Sequence, residues 1–423
     1  MPRAPLASII AVGSELLTPF RTDTNSLVIT AQLNEVGYDV RRKTVVGDDV
    51  GDLANALREA LGWADVVVMT GGLGPTEDDI TREAVARVLD APLEEDPAIL
   101  EGLRSRFAER GIPMAAINRR QAMVPRGATI LENDHGSAPG LWLEHGRCAV
   151  VLLPGPPREM RPMFERLVAE RLAGRSGQAL YRRVLKITGR PESEVDALAQ
   201  PVYGQWTRRE PPIATTILAG LGQIELHLTV RAPDRPAADR ALEPAIDALR
   251  GVLGASVYSA DGQPLEAVVG GLLVARGWRV AIAESCTGGL LTSRLTDVAG
   301  SSRYVDRAVV CYSNESKTDL AGVPPALIAE HGAVSEPVAR ALADGIRTRA
   351  GADVGIGVTG IAGPGGGTPE KPVGTVALAV VTPDDARVRT VRLVGPREVV
   401  KFHAAQAALN LLRLMLLQAR TTG

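Results

Sequence analysis

The chain is expected to be an α/β protein, with two α/β domains of mainly parallel sheets flanked by helices, joined by a small α+β connector. Three observations carry that expectation. Apolar strands alternate with amphipathic helices through the first 172 residues and again from about residue 258 to the end, a rhythm that places parallel strands between helical layers. Between these blocks the texture changes to half-buried alternating strands with turns rich in Pro, Gly and Arg. In both outer blocks, glycine clusters follow directly on buried strands, where open parallel sheets hold their ligands. The domain bounds are therefore 1–172, 173–257 and 258–423.

In chain order, "LASIIAVG" reads as a buried strand, residues 26–35 as a helix, "YDVRRKTVV" as a strand, residues 52–61 as a helix and "ADVVVMT" as a strand. Helices follow from Thr81, and the block closes with the strand "CAVVLLPGPP" and a helix after Pro157. In the connector, "YRRVLKITG" and "IELHLTVRA" alternate as strands, while "ESEVDALA" and "RALEPAIDALRGVL" are helical. The last block has strands at "WRVAIAE", "YVDRAVVCY", "ADVGIGVTG", "GTVALAVV" and "RVRTVRLV", then a closing helix from Arg397 to about Gln418. Its segment "AAQAALNLLRLMLLQ" is apolar on more than one face, which favours a homodimer.

With 423 residues the chain has room for two to four domains, and a net charge of −2 provides no global basic field, so nucleic acid is an unfavoured partner. No leader-like stretch and no run of about 18 apolar residues is present, so a cytoplasmic protein without membrane contact is expected. Cys148, Cys286 and Cys311 lack metal or redox spacing and read as buried free thiols. Of 47 basic residues only five are lysines: Lys43, Lys186, Lys317, Lys371 and Lys401. Where Lys persists against such a bias, an amine able to lose its proton is one reason.

In the first block, "VVVMTGGLGPTEDDIT" leaves a strand through Gly71, Gly72 and Gly74 and presents Thr76, Asp78, Asp79 and Thr81 before a helix. Glycines allow close backbone approach, and a helix start offers free N–H groups to an anion. The aspartates, with Asp48 and Asp49 at the same sheet edge, are hard oxygen ligands for a divalent cation of the Mg, Mn or Co class bridging to a phosphate. Helix capping by Asp78 and Asp79 is the plainer alternative. "TGGLGPTEDDIT", together with "GSELL", the "DTN" that ends at Asn25 and "LPGPPREM", resembles the molybdopterin-binding-like domain of the competence/damage-inducible CinA family. For that family the resemblance implies a metal-dependent ADP-ribose pyrophosphatase, with Asp48 and Asp79 at the metal positions. The wider superfamily binds a pterin nucleotide.

In the last block, "AIAESCTGGLL" sets Ser285 beside Cys286 at a strand end. A Cys nucleophile wants a histidine, and His331 and His403 are better explained by turn and helix packing, so only the helix-start argument remains for it. Ser285 needs a base that is neutral near pH 7. In "VVCYSNESKTDLAGV" Asn314 is read as the N-cap, placing Lys317 near the third helical position, where burial and the helix start both lower its pKa. Tyr312 would relay a proton or hold the lysine, and the backbone N–H groups of Thr287, Gly288 and Gly289 would form an oxyanion hole. The glycine loop "GVTGIAGPGGGTPEKPVGTV" carries Thr359 and then Gly363, Gly365 and Gly366, able to nest a phosphate beside Lys371 or Arg397.

"AESCTGG", "YSNESK", "GIAGPGGG" and "KPVGTV" in that order closely resemble the CinA C-terminal domain, the nicotinamide mononucleotide (NMN) amidase family. The resemblance implies conversion of NMN to nicotinic acid mononucleotide and ammonia without a cofactor. It places the nucleophile on Ser285, the base on Lys317, its partner on Tyr312, a supporting role on Thr359 and substrate contacts on Asn314 and Arg397; it also implies a KH-like connector. Two other readings remain open at this level: a nucleotide-binding or competence-linked scaffold, and a pterin-binding first domain, both without turnover.

Overall fold

The computed structural model describes residues 3–174 and 176–418. The chain separates into two compact units, residues 1–181 with 231–239, and residues 182–230 with 240–423. The connector region 173–257 is thus shared between them, with its larger part in the second.

The first unit is built on β1 (Leu6–Val12), β2 (Asp39–Val46) and β3 (Val66–Thr70), a short separate pair β4 (Leu93–Glu95) and β5 (Met123–Pro125), then β6 (Thr129–Leu131), β7 (Gly140–His145) and β8 (Cys148–Leu153). The six-stranded sheet runs β2-β1-β3-β8-β7-β6. Its first four strands are parallel and the β6–β7–β8 edge is antiparallel. Every residue of β1, β3 and β8 is buried, as their unbroken apolar runs require of strands covered on both faces. Side-chain alternation divides them: Ile10, Val67, Met69 and Val150 pack beneath the helices Val50–Leu61 and Thr81–Leu89, while Ile9, Val68 and Val151 face Asn25–Glu35 and Pro157–Leu167.

The connector contributes β9 (Ala179–Ile187), β10 (Ile213–Gly220), β11 (Gln223–Ala232) and β12 (Val257–Ser259), ordered β10-β11-β9-β12, with helices Glu192–Tyr203 and Arg235–Leu253. β11 alternates half-buried and buried residues along its whole length, the signature of a sheet covered on one face.

In the second unit the last sheet holds β13 (Val280–Glu284), β14 (Val305–Val310), β15 (Val354–Gly360), β16 (Thr375–Val381) and β17 (Ala386–Arg392), in the order β14-β13-β15-β16-β17. The first three are parallel and the last two antiparallel. Val280, Ile282 and Ile356 meet the helices Leu265–Arg276, Leu290–Thr296 and Arg397–Gln418; Ala281 and Ala283 meet Asn314–Ala321 and Glu336–Ala350 on the other side. That second layer lies close because glycines admit it: a Cβ on Gly355 would stand 2.1 Å from the Ala343 carbonyl, and one on Gly357 2.2 Å from that of Ala339.

A buried polar chain runs through this unit. Arg294 donates to Glu266 (2.8 Å) and to the Gln406 side-chain oxygen (2.7 Å); the Gln406 amide donates to Thr188 Oγ1 (3.3 Å), which donates to the Gly222 carbonyl (3.0 Å).

The terminal helix corrects one expectation. Leu409, Leu411, Leu412, Met415 and Leu416 are buried in the chain's own core. The apolar faces that favoured a homodimer are therefore used within the chain, and the argument for that partner falls. No described helix is long and apolar enough to cross a membrane.

Candidate functional site

At the carboxyl edge of the first sheet lies a cavity of about 730 Å³, lined by Asn25, Asp48, Gly71, Gly72, Gly74, Asp78 and Asp79 among others; Thr76 and Thr81 are outside the lining and act on its loop. Gly71 and Gly72 have positive φ (105° and 66°), and added Cβ atoms would stand 2.2 Å from the Val12 carbonyl and 2.3 Å from Thr81 Oγ1. The chain can turn this close to β1 only without side chains. Thr81 Oγ1 donates to the Gly71 carbonyl (2.8 Å). Both oxygens of Asp79 are engaged, one by the Gly74 N–H (2.7 Å), the other by the Thr76 N–H (2.9 Å) and hydroxyl.

Two residues outside the sequence reading brace this loop. Arg82, 2 % exposed, donates to the Leu73 and Gly74 carbonyls, both at 2.7 Å. Arg120 donates to the Thr76 carbonyl (2.6 Å) and pairs with Glu83 (2.9 Å). A buried arginine in an amphipathic helix carries no local sequence signal, since its partners are backbone oxygens.

Asp48 accepts from the Ser14 N–H (2.9 Å) and its own N–H donates to Ser14 Oγ (3.0 Å), leaving its second carboxylate oxygen without a protein partner. Asp49 caps the helix Val50–Leu61 instead. Asp78 is exposed, its carboxyl held low mainly by the Thr76 hydroxyl and then by its own backbone N–H. The Asn25 amide donates to Thr70 Oγ1 (3.0 Å) and the Gly155 carbonyl (2.7 Å), while its buried oxygen has no partner. That orphaned acceptor, on the cavity wall, suits an amine or N–H of a ligand.

Among the described residues no three His, Cys, Asp or Glu side chains converge as a closed metal cage. The donors present are carboxylates, including Asp48 and Asp78, in the lining of the same cavity. They fit a Mg²⁺-type ion, which binds through one or two carboxylates and completes its shell with water and phosphate, and they do not fit a tetrahedral zinc site.

The second candidate site lies at the carboxyl ends of β13, β14 and β15, where Ser285, the 311–313 turn and the glycine loop converge. The Ser285 N–H donates to the Val358 carbonyl (2.9 Å) and the Cys311 N–H to that of Glu284 (2.7 Å), extending the ladder one residue past each strand. Glu284, fully buried, accepts from the N–H groups of Gly289 (3.0 Å), Leu291 (3.1 Å) and Thr292 (2.8 Å) and from the Thr292 hydroxyl. The Gly288 N–H donates to the Ser285 carbonyl (3.1 Å). This corrects the expected oxyanion hole: the amides of Gly288 and Gly289 are spent inside the turn. The Thr287 N–H has no acceptor among the described residues, and that of Cys286 has only its own thiol.

Burial pushes the Cys286 thiol up to about 12, reinforced by Glu284, so the thiolate is suppressed at the position where a Cys nucleophile would stand. Ser285 is the remaining nucleophile. Lys317 is 2 % exposed, and burial lowers its pKa below the ordinary lysine range. Its Nζ donates to the carbonyls of Cys311 and Tyr312, both at 3.1 Å, with Ser313 at 3.4 Å. The expected direct contact with Ser285 is absent; Lys317 is instead anchored beneath the turn, within electrostatic reach of the Cys286 thiol. A further correction concerns the cap, which is Ser313, accepting from the Ser316 N–H (3.1 Å), while Asn314 is the first helical residue.

Tyr312 is exposed and its hydroxyl accepts from Arg397 (2.8 Å), whose other terminal nitrogen donates to the Gly363 carbonyl (2.7 Å). The tyrosine thus joins the arginine and the glycine loop, and only its carbonyl touches Lys317. Gly365 and Gly366 lie further along that loop. Thr359, buried, donates to the Ala333 carbonyl (2.8 Å), and Lys371 to that of His331 (2.9 Å). Lys401 was not singled out by sequence beyond its rarity, yet its Nζ stands 3.6 Å from where a Gly288 Cβ would be, with no ion pair or hydrogen bond among the described residues.

Fold and sites define the class: two α/β domains, each with a candidate site at the carboxyl edge of its parallel strands, joined by an α+β connector. Residues 8–174 match the family described as "Probable molybdopterin binding domain", and residues 262–416 the one described as "CinA C-terminal domain". A CinA-like protein from Acidobacterium capsulatum is 47% identical over 420 residues, covering 97% of this chain and 100% of that protein. One from Koribacter versatilis is 45% identical over 417 residues, covering 97% and 100%. A crystal structure of CinA from Thermoplasma acidophilum is 36% identical, covering 40% of this chain and 98% of that one, with a TM-score of 0.38. The chain belongs to the CinA family.

Glu284→Ala leaves four donors at a helix start unpaired in the protein interior. It is expected to lower unfolding free energy by about 3 kcal/mol or more, read from urea denaturation.

Proposed function

We propose that the chain is a hydrolase of pyridine nucleotides, with an NMN amidase in its last domain and a metal-dependent ADP-ribose pyrophosphatase in its first. The amidase reading rests chiefly on Lys317, a buried amine that makes no ion pair among the described residues, the exposed Glu315 acting on it only at a distance, and that lies within electrostatic reach of the Cys286 thiol. A neutral amine has two N–H donors, which the two carbonyls at 3.1 Å satisfy, and giving up the longer contact to Ser313 at 3.4 Å frees its lone pair to act as a base. Catalytic hydrogen bonds in ligand-free sites are often unmade and form only with substrate.

In the reaction, Lys317 takes the Ser285 hydroxyl proton as Oγ attacks the carboxamide carbon. The N–H groups of Cys286 and Thr287 hold the developing oxyanion. The lysine returns the proton to the leaving nitrogen, the C–N bond breaks and ammonia departs. Water, deprotonated by the same amine, then cleaves the acyl-serine to release the carboxylate. Lys401 and Arg397, four residues apart on one helix, supply positive charge beside the turn for the substrate's phosphate.

In the first domain the expected metal pair is Asp48 and Asp79; because both Asp79 oxygens are taken by Gly74 and Thr76, Asp48 and Asp78 would hold the divalent cation instead, which when bound neutralises pyrophosphate charge. Asp79, Thr81 and Arg82 keep the glycine loop in shape to receive phosphate on its backbone, and the Asn25 oxygen accepts from a ring amine. That acceptor serves adenine or a pterin alike, so titration with a pterin separates the two readings.

Ammonia release from NMN by the full chain tests the amidase directly; no release would leave the binding-scaffold reading. Lys317→Arg keeps the charge but cannot act as a base, and should lower kcat at least about 100-fold. Because the base must be neutral and burial lowers its pKa, kcat/KM should fall as pH drops through that lowered value and level off above it. Lys401→Met should raise KM for NMN several-fold with kcat nearly unchanged, while leaving the slower hydrolysis of unphosphorylated nicotinamide riboside unaffected. Chelation with EDTA should abolish ADP-ribose hydrolysis and spare ammonia release from NMN.

A further inference from the structure

The second unit contains a cavity of about 740 Å³ away from the Ser285 turn, walled by the ends of β9, β10 and β11, by β17 and by the helix Arg397–Gln418. Its lining includes Arg190, whose guanidinium pairs with Glu194, together with Arg389, Arg392 and His403, and holds no carboxylate of its own, in a chain where acidic residues outnumber basic ones 49 to 47. Arg389 and Arg392 make no hydrogen bond or ion pair among the described residues, whereas Arg387 on the same strand is paired with Asp385. A guanidinium group without a carboxylate partner at the wall of a cavity gains by meeting an anion.

The floor is built rather than incidental. Thr188 and Gln406, each 4 % exposed, are hydrogen-bonded to one another, and Gly222 packs so closely that an added Cβ would stand 3.2 Å from Gln406 and from His403. Ile224, Val391 and Leu411 supply apolar wall. A volume within the range of small-molecule sites, an apolar wall and arginines able to fork onto phosphate oxygens together describe a ligand with a phosphate and a flat apolar part.

We propose that this cavity binds a phosphorylated small molecule of nucleotide size, at a site separate from both candidate catalytic sites. A single-stranded nucleic acid fits less well, because no Phe, Tyr or Trp lines the cavity and the one imidazole, His403, cannot stack successive bases.

Arginine modification by phenylglyoxal, followed peptide by peptide by mass spectrometry on the full chain, gives a readout specific to this cavity even if other sites bind the same probe. AMP and inorganic pyrophosphate at millimolar concentration should slow modification of Arg389 and Arg392 at least fivefold, and adenosine should not. In calorimetry, Arg389→Glu with Arg392→Glu should lose one AMP equivalent while the melting temperature stays within a degree or two. Unchanged modification rates with AMP and pyrophosphate, equal protection by adenosine, or protection by a single-stranded oligonucleotide but not by AMP would each overturn the proposal.

Discussion

The last domain is organised around one buried carboxylate. Glu284 ends β13, a strand paired on both sides, and its side chain turns back to satisfy the N–H groups at the start of the very next helix. Strand end and helix start are thereby held by one residue, and the four residues between 284 and 289 have little freedom left. Ser285 is presented at the sheet edge because of this closure, and two amides that the carboxylate does not reach remain open beside it. The constraint is electrostatic as well as geometric, since a negative charge at a helix start is favoured and adds to the burial that keeps the neighbouring Cys286 thiol protonated.

The glycine loop of the first domain reaches a similar end by other means. There the backbone oxygens are held by Arg82 and Arg120 and the backbone N–H groups by Asp79, so both polarities of the loop are satisfied by side chains from its own helix and a neighbouring segment. Rigid loops of this kind expend little of a ligand's binding energy on ordering themselves.

Much of this architecture is legible in the residues. Fully apolar runs such as "ASIIAV" and "AVVLL" identify strands buried on both faces, and the glycines after them mark the sheet edge where both sites lie. Three things are less so. The β6–β7 edge of the first sheet is antiparallel and short, and "GLWLEH" offers too few alternations to declare it. The turn at 285–289 has more N–H groups than a spacing argument can allot, so the role of Glu284 in consuming them is invisible until the helix is placed. Lys317 reads as a base by composition, yet its three carbonyl partners come from a bend in the backbone at 311–313 that local propensity does not encode. Lys401 lies over a hundred residues from the turn it approaches.

The polar chain from Arg294 through Gln406 and Thr188 to Gly222 bears on how this half of the molecule comes apart. Arg294, Gln406 and Thr188 are buried and each satisfies the next, so releasing the connector hairpin from the terminal helix strands an amide, and stranding that amide loosens the arginine on the helix that follows the nucleophile. Local opening at one end therefore has no inexpensive stopping place short of the other. The expected consequence is that the β10–β11 hairpin and the helix Leu290–Thr296 open together, as one cooperative foldon.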